Sequence, residues 1–386
     1  MADAESEVEL GFIEKDYNIL RLASPFFPSK VGGRPSWLNL QDIPDSKRLL
    51  CTNCQKNLVF LLQIYAPLTD GSPDDERCFH RALFVFCCKN PRCHKTNSNG
   101  VFAVFRNQLP RKNKFFSNNP PPELGEDRAD WNGVDPEFRP RAFVSLCDVC
   151  GCLGDKKCSK CHKVCYCCRD HQVIGWKAGH KTDCSKLAES KDDQKAHATS
   201  PSSNNFLFPE FEIVTEPEPE ESKTKERSEK ERMKDFEKMT KNMNINASEL
   251  GSKDDKELEK LAMAGKEDLL ADKQFKAFKK RIAREPEQVL RYDKGGQPLW
   301  VSGDNQPSNT DIPPCLCGAS RHFEFQIMPQ LLNYLGVDSV EDSIDWGTVA
   351  IFTCTKNCED GPAYHQEFVW KQDFTDTGLP GKALLR

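Results

Sequence analysis

The sequence predicts an α+β chain: a β-rich outer domain duplicated between its N- and C-terminal parts, with a small cross-braced cysteine–histidine module and a charged, largely disordered linker inserted between the halves. Three observations predict it. The 19 cysteines fall into three clusters, Cys51 to Cys93, Cys147 to Cys184 and Cys315 to Cys358, with none from Ser185 to Pro314. The two outer clusters sit in stretches that carry the same motifs in the same order. Between the central and last clusters, Ser185 to about Asp272 is rich in Lys, Glu, Asp and Ser with few aromatics, too polar to offset the entropy of ordering.

Composition sets outer limits. A chain of 386 residues has room for two or three domains. Its charged fraction of 29% against 38% hydrophobic residues leaves part of it unfolded. A formal charge of -5 gives no global field for nucleic acid or an anionic membrane. No apolar run reaches a transmembrane length: the richest, Leu58 to Leu68, is broken by Gln63. The N-terminus is acidic and has no secretory pattern, so an intracellular, reducing setting is expected, where an odd number of cysteines argues for metal rather than disulfides.

Residues 1–117 form the N-terminal half, with strand-like runs at Leu58 to Tyr65, Ala82 to Phe86 and Val101 to Phe105. Residues 118–143 are a Pro-rich linker containing Pro120-Pro121-Pro122 and the turn former Asn132-Gly133. The cysteine–histidine module occupies 144–187 and the charged linker 188–272. In the C-terminal half, 273–386, Phe275, Phe278 and Ile282 mark one face of a helix that Pro286 ends. Phe323, Phe325 and Ile327 alternate as in a strand, followed by a helical Met328 to Leu335 with Gly336 as its stop, then strands at Val349 to Phe352 and Phe368 to Trp370.

The halves match motif by motif. The first reads Cys51-x2-Cys54, Leu62-Gln63-Ile64 with Pro67, Phe86-x-Cys88-x4-Cys93, then Val104-Phe105 and Gln108. The second reads Cys315-x-Cys317, Phe325-Gln326-Ile327 with Pro329, Phe352-x-Cys354-x3-Cys358, then Val369-Trp370 and Gln372. Duplication is the simplest account, yielding either two lobes or one pseudo-symmetric domain.

The central cluster runs Cys147-x2-Cys150-x7-Cys158-x2-Cys161-x5-Cys167-x3-His171-x8-His180-x3-Cys184. A Cys-x2-Cys knuckle turns tightly enough for both thiolates to grip one ion, and Cys-x3-His on a helix places both ligands on one face. Alternating pairs predict a cross-braced zinc module with two ions, Cys147, Cys150, Cys167 and His171 on one, Cys158, Cys161, His180 and Cys184 on the other. Metal binding then supplies much of the folding free energy of so short a segment. Cys152, Cys165 and Cys168 are surplus, and the register among Cys165, Cys167 and Cys168 stays open. With Gln172 after His171 and Trp176 before the last pair, the module resembles a MYND-type zinc finger. Seven Lys or Arg against four Asp, offset by the metallated sites, leave it near +1, too weak for phosphate tracking. Each zinc has all four positions filled, which disfavours catalysis.

Cys51, Cys54, Cys88 and Cys93 could close a further zinc site, as could Cys315, Cys317, Cys354 and Cys358; reduced structural cysteines are the equal alternative, and Cys87 competes with Cys88. Asn204 to Ser222 holds six Glu and no Lys or Arg, interleaved with Phe206, Phe208 and Phe211. These rings with Glu216, Glu218, Glu220 and Glu221 could dock a basic, partly unfolded partner; the plainer reading is a tethered strand packing Phe208 and Phe211 on the chain's own core, then a solvated charge run. The Pro28 to Trp37 string, with Gly32-Gly33, reads as a turn leading to a buried Trp, and Arg106, Arg111, Lys112 and Lys114 as a solvated basic edge.

Leu10-Gly11-Phe12, the Pro28 to Trp37 string, Phe105 to Asn113, the zinc module, Asn205 to Phe211, Glu285-Pro286-Glu287-Gln288, Phe323 to Leu335 and Phe368 to Asp373 together resemble the programmed cell death protein 2 family from end to end, apart from about Glu216 to Asp272. Cys165 departs from the finger pattern, which has an aromatic there; Tyr166 follows it. The resemblance implies a non-enzymatic protein of cytoplasm and nucleus. Its relatives act as dedicated chaperones for a newly made, basic small-subunit ribosomal protein, in support of ribosome biogenesis and cell proliferation or survival. Client binding would then fall to the outer domain, with an acidic linker beside strand-pairing edges, and the finger would dock proline-containing peptides. The alternative is a nuclear corepressor adaptor acting through the finger and linked to apoptosis. No direct nucleic-acid or membrane partner is expected, and no cofactor-binding Gly motif or nucleophile elbow is found.

Overall fold

The computed structural model describes residues 8–68, 71, 74–121, 140–189, 205–220, 273–337 and 343–374. Their strands are β1 (Glu9–Glu14), β2 (Lys30–Val31), β3 (Val59–Tyr65), β4 (His80–Cys87), β5 (Phe102–Leu109), β6 (Lys156–Lys157), β7 (Cys165–Tyr166), β8 (Phe211–Pro217), β9 (Leu290–Tyr292), β10 (Arg321–Ile327), β11 (Thr348–Cys354) and β12 (His365–Gln372). Strands β6 and β7 form a small hairpin in the central module. The other ten close an antiparallel barrel in the order β1-β8-β2-β3-β4-β5-β12-β11-β10-β9, with β9 returning to β1. Both terminal parts therefore share one barrel rather than forming two lobes. Closure gives every described barrel strand a neighbour on both sides, although the β5–β12 ladder covers only three residue pairs.

Side chains alternate across each strand, which separates an inner from an outer set. Arg81 faces inward, because it reaches Glu324 on β10, a strand that is not its neighbour. Phe84 and Phe86 on the same strand face outward and take the ring of Trp37, with centroids 5.2 and 6.0 Å away. Trp37 is completely buried, as the Pro28 to Trp37 string implied. Covering by this loop is why β4 and β5 are buried on both faces and read as continuous apolar runs.

Matching features recur in the two halves. A register shift lies between Phe60 and Leu62 on β3 and between Phe323 and Phe325 on β10, each just ahead of a buried glutamine. Gln63 accepts from the Ser36 amide at 2.8 Å and donates to the Ser36 carbonyl at 3.2 Å. Gln326 does the same with Leu299, at 2.6 and 3.0 Å. The residues so held belong to Gly32-Gly33-Arg34-Pro35-Ser36-Trp37 and Gly295-Gly296-Gln297-Pro298-Leu299-Trp300, a correspondence that the sequence reading passed over.

Helices are short. At the end of the stretch read as Pro-rich linker lies α1 (Pro140–Phe143), and in the central module lie α2 (Arg169–Gly175) and α3 (Lys181–Glu189), joined by a π-helical turn at Trp176–His180. In the C-terminal part α4 (Lys273–Ile282) buries Phe278 and Ile282 against Val301 and Met328, the face its spacing predicts. The helical reading of Met328 to Leu335 becomes a 3-10 helix, Pro329–Tyr334, ended at Gly336 with φ 62°. Strand β8 lies inside the stretch read as linker and is a member of the barrel.

Candidate metal centres

Two ligand sets come together in the central module. Four tetrahedral sulfurs ~2.3 Å from one zinc lie ~3.8 Å apart, and a sulfur and an imidazole nitrogen ~3.6 Å. In the set Cys147, Cys150, Cys167 and His171, the Cys150 and Cys167 sulfurs are 3.8 Å apart, and His171 Nδ1 lies 3.5 Å from Cys147 Sγ and 3.0 Å from Cys167 Sγ. In the set Cys158, Cys161, His180 and Cys184, the Cys158 and Cys184 sulfurs are 3.8 Å apart and His180 Nε2 is 3.5 Å from Cys161 Sγ. The donor chemistry and separations fit zinc in both. Cys167, rather than Cys165 or Cys168, completes the first set; Cys165 pairs in the β6–β7 hairpin and Cys168 caps α2, its sulfur accepting from the His171 amide. Burial raises the Cys158 thiol, but the backbone amide of Cys161, the His180 ring and the amide of Lys160 outweigh it and bring it down to about 6.

The outer clusters assemble equally well. Cys51, Cys54, Cys88 and Cys93 converge, with 3.8 Å between the sulfurs of Cys54 and Cys88. Cys315, Cys317, Cys354 and Cys358 converge with 3.5 Å from Cys315 to Cys358 and 3.6 Å from Cys317 to Cys354. Each set is four sulfurs at zinc-compatible spacing, and Cys87, on the strand beside Cys88, stays out. With four protein donors per set, no coordination position is left for a reacting water, which is the chemistry of a structural centre.

The module is fastened to the barrel. Trp37 Nε1 donates to the Gly151 carbonyl at 2.8 Å, and Arg34 donates to the carbonyls of Asp148 and Val149. Residues 205–210 latch its other side. Phe206 stacks edge-on upon the ligand His171, with ring centroids 4.2 Å apart. Lys89 donates to the carbonyls of Asn205 and Leu207 and lies over the Phe208 ring. Phe208 is buried, and Phe211, half-buried, meets Tyr334. Of the carboxylates grouped with these rings, Glu216 and Glu220 are exposed, whereas Glu218 is enclosed between Arg281 and Arg291. Burial would raise the Glu218 carboxyl, but the two guanidiniums bring it down to about 2. Glu221 lies outside the described residues.

Comparison with known proteins agrees with this layout. The family description "Programmed cell death protein 2, N-terminal domain" matches residues 7–123, its "C-terminal putative domain" 272–373, and "MYND finger" 147–184. Programmed cell death protein 2 of Rattus norvegicus is 45% identical over 96% of this chain and 97% of its own, and that of Bos taurus 44% over 97% and 99%. The chain belongs to the programmed cell death protein 2 family. A more distant relative, "Probable 20S rRNA accumulation protein 4" of Schizosaccharomyces pombe, is 25% identical over 80% of the chain and 82% of its own. No solved structure matches.

For this family member, the two ion pairs that are wholly buried among the described residues escaped the sequence reading. Arg106, taken there for part of a solvated edge, is wholly buried and paired with Glu367 at 2.8 Å. Arg81 and Glu324, also wholly buried, form the other. A charged residue inside an apolar strand run, as in Phe105-Arg106 or Phe323-Glu324-Phe325, was the available signal, since such a residue needs a buried counter-charge.

Proposed function

We propose that this protein is a non-enzymatic, zinc-containing protein-binding factor: a dedicated chaperone for a newly made, basic protein of the small ribosomal subunit, working in cytoplasm and nucleus. The observation that carries the reading is the similarity, over most of the chain, to a relative named for 20S rRNA accumulation. Four saturated Cys/His sets support a scaffold rather than a reaction centre. The finger takes two zinc ions and each outer cluster one. The outer domain is a duplicated unit, as the matched strings, register shifts and glutamine clamps support. Client recognition resides on its surface, where exposed Glu216 and Glu220 offer charge complementary to a basic segment, and the finger is an accessory site for proline-containing peptides.

Gentle affinity purification of the full chain, with mass spectrometry of partners and an absorbance check for nucleic acid, tests this. One near-stoichiometric basic ribosomal protein without RNA is the expected result. A spread of corepressor subunits would instead make the chain a nuclear adaptor working through its finger, and abundant nucleic acid would also overturn the chaperone reading.

A further inference from the structure

The two terminal parts of the barrel meet at β5 and β12 over a short ladder. Only His365 with Arg106, Gln366 with Phe105 and Glu367 with Val104 are in register there, whereas β4 pairs with β5 from end to end. Other contacts cross this seam, and they converge on the cysteine loops. Gln108 Nε2 donates to the Asn357 carbonyl at 2.9 Å, and Arg77 to the carbonyls of Asn357 and Lys356 at 2.8 and 2.6 Å, gripping the loop between Cys354 and Cys358. Reciprocally, the Asn97 amide donates to Asp373 at 2.7 Å and the Lys371 amide to Asn99 at 2.7 Å, tying the loop after Cys93 to the end of β12.

Arg106 adds a charge argument. Its Nε is 2.8 Å from one oxygen of Glu367, and Arg321 Nε is 3.0 Å from the other; Arg106 and Glu367 are wholly buried, whereas Arg321 reaches the rim, where it also donates to the carbonyls of Pro313, Pro314 and Gln366. Glu367 is thus shared between two guanidiniums, so the wholly buried Arg106 is only partly neutralised by it, which is costly unless a further anion stands close. Arg106 Nη1 donates to Gln108 Oε1, and Nη2 points at Cys358, 3.1 Å from its carbonyl oxygen and 3.8 Å from its sulfur. The other titratable groups nearby do not supply the anion: burial and then Arg106 lower the pKa of His365, burial keeps the Cys78 thiol up, Asp74 is engaged by Arg77, and Glu359 is on the exposed rim. Zinc held by four thiolates carries a charge of about -2 and accepts hydrogen bonds at its sulfurs.

We propose that Cys315, Cys317, Cys354 and Cys358 form a tetrathiolate zinc centre whose charge is balanced by Arg106 from the opposite half of the barrel, so that metal binding there and closure of the β5–β12 seam are one event. This rests on the reading that the outer clusters bind zinc. It does not depend on the client.

The test uses the purified full chain, with zinc counted by native mass spectrometry, zinc release followed with a chromogenic chelator, and hydrogen exchange read across β5 and β12. Four zincs are expected in the unaltered chain and three in Cys317→Ser, with raised exchange at the seam. Arg106→Gln should release one zinc about 10- to 100-fold faster, the usual scale for a lost partner of a metal ligand, while Arg111→Gln, at the surface, should match the parent. A count of two in the unaltered chain would overturn the zinc reading itself. A count of four, with Arg106→Gln releasing zinc at the parent rate, would leave that reading intact and overturn the coupling. If Arg106→Gln does not fold, Cys317→Ser decides alone: loss of its zinc with an equally protected seam would overturn the proposal.

Discussion

Arg81 on β4 and Glu324 on β10 meet across the interior of the barrel as a two-pronged ion pair, with Arg81 Nη2 2.7 Å from Glu324 Oε2. Tyr292 and Thr353 donate to the same carboxylate, so its lone pairs are used. Burial would raise the Glu324 carboxyl, but Arg81 outweighs it and brings the pKa from 4.5 down to about 2. A folded-state pKa below the unfolded value means stabilisation that is complete above 4.5 and fades as pH falls towards about 2. Glu324→Gln leaves Arg81 buried without a counter-charge and should cost ~3–5 kcal/mol near neutral pH. Urea midpoints of parent and variant should converge as pH drops below about 4.5. Acid release of zinc acts on both chains, so a gap that stayed constant with pH would mean that the ionised carboxylate of Glu324 is not the source of the stabilisation.

Cys158→Ser removes a ligand from the second set of the finger. Because metal binding supplies the folding free energy of such modules, one zinc should be lost and α3, which carries Cys184, should become protease-sensitive. The barrel should keep its cooperative transition, and the chaperone reading expects client capture to survive. Pull-down with the variant checks it; loss of the main partner would move the function to the finger.

Gly32 has φ 63°, and a Cβ there would run into the backbone carbonyl of Pro209. Gly295, its counterpart in the second string, has φ 84° and nothing within 4 Å. Alanine at either position costs ~1–2 kcal/mol for the left-handed backbone, but only Gly32→Ala should also dislodge residues 205–210. Limited proteolysis should therefore cut near Phe208 faster in Gly32→Ala than in Gly295→Ala. Equal rates would show that the latch does not depend on this close approach.

The carboxylates after β8 divide by environment. Glu218→Gln should lower thermal stability, since it withdraws the partner of both Arg281 and Arg291. Glu216→Gln with Glu220→Gln should leave stability within about 0.5 kcal/mol, as exposed substitutions do, yet weaken capture of a basic client at low salt. The difference should vanish above about 0.5 M salt, where screening is short-ranged. A salt-independent loss, or none at all, would remove these carboxylates from recognition.

The fold settled the register at Cys167 over Cys165 and Cys168, but local spacing was enough to pair the ligands of the finger, because a Cys-x2-Cys knuckle and a one-turn Cys-x3-His step bring donors together through backbone geometry. The same holds for α4, whose Phe275, Phe278 and Ile282 lie on one face at helical spacing. The partition of the chain around its cysteine clusters was legible for that reason.

Pairing between distant residues decided the rest. Cys87 and Cys88 are adjacent at the end of β4, and only that strand's register on β3 and β5 selects which sulfur meets Cys51, Cys54 and Cys93. Arg106 reads as an edge cation until β12 brings Glu367 beside it. A Glu-rich stretch becomes β8 through its pairing with β1 and β2, while Lys30 holds Glu210 just before the strand and Arg281 and Arg291 hold Glu218 just after it. Periodicity reports which face of an element is apolar, but a buried charge is stabilised only by its partner, and in these pairs that partner lies from 63 to 261 residues away along the chain, brought near only when the barrel closes.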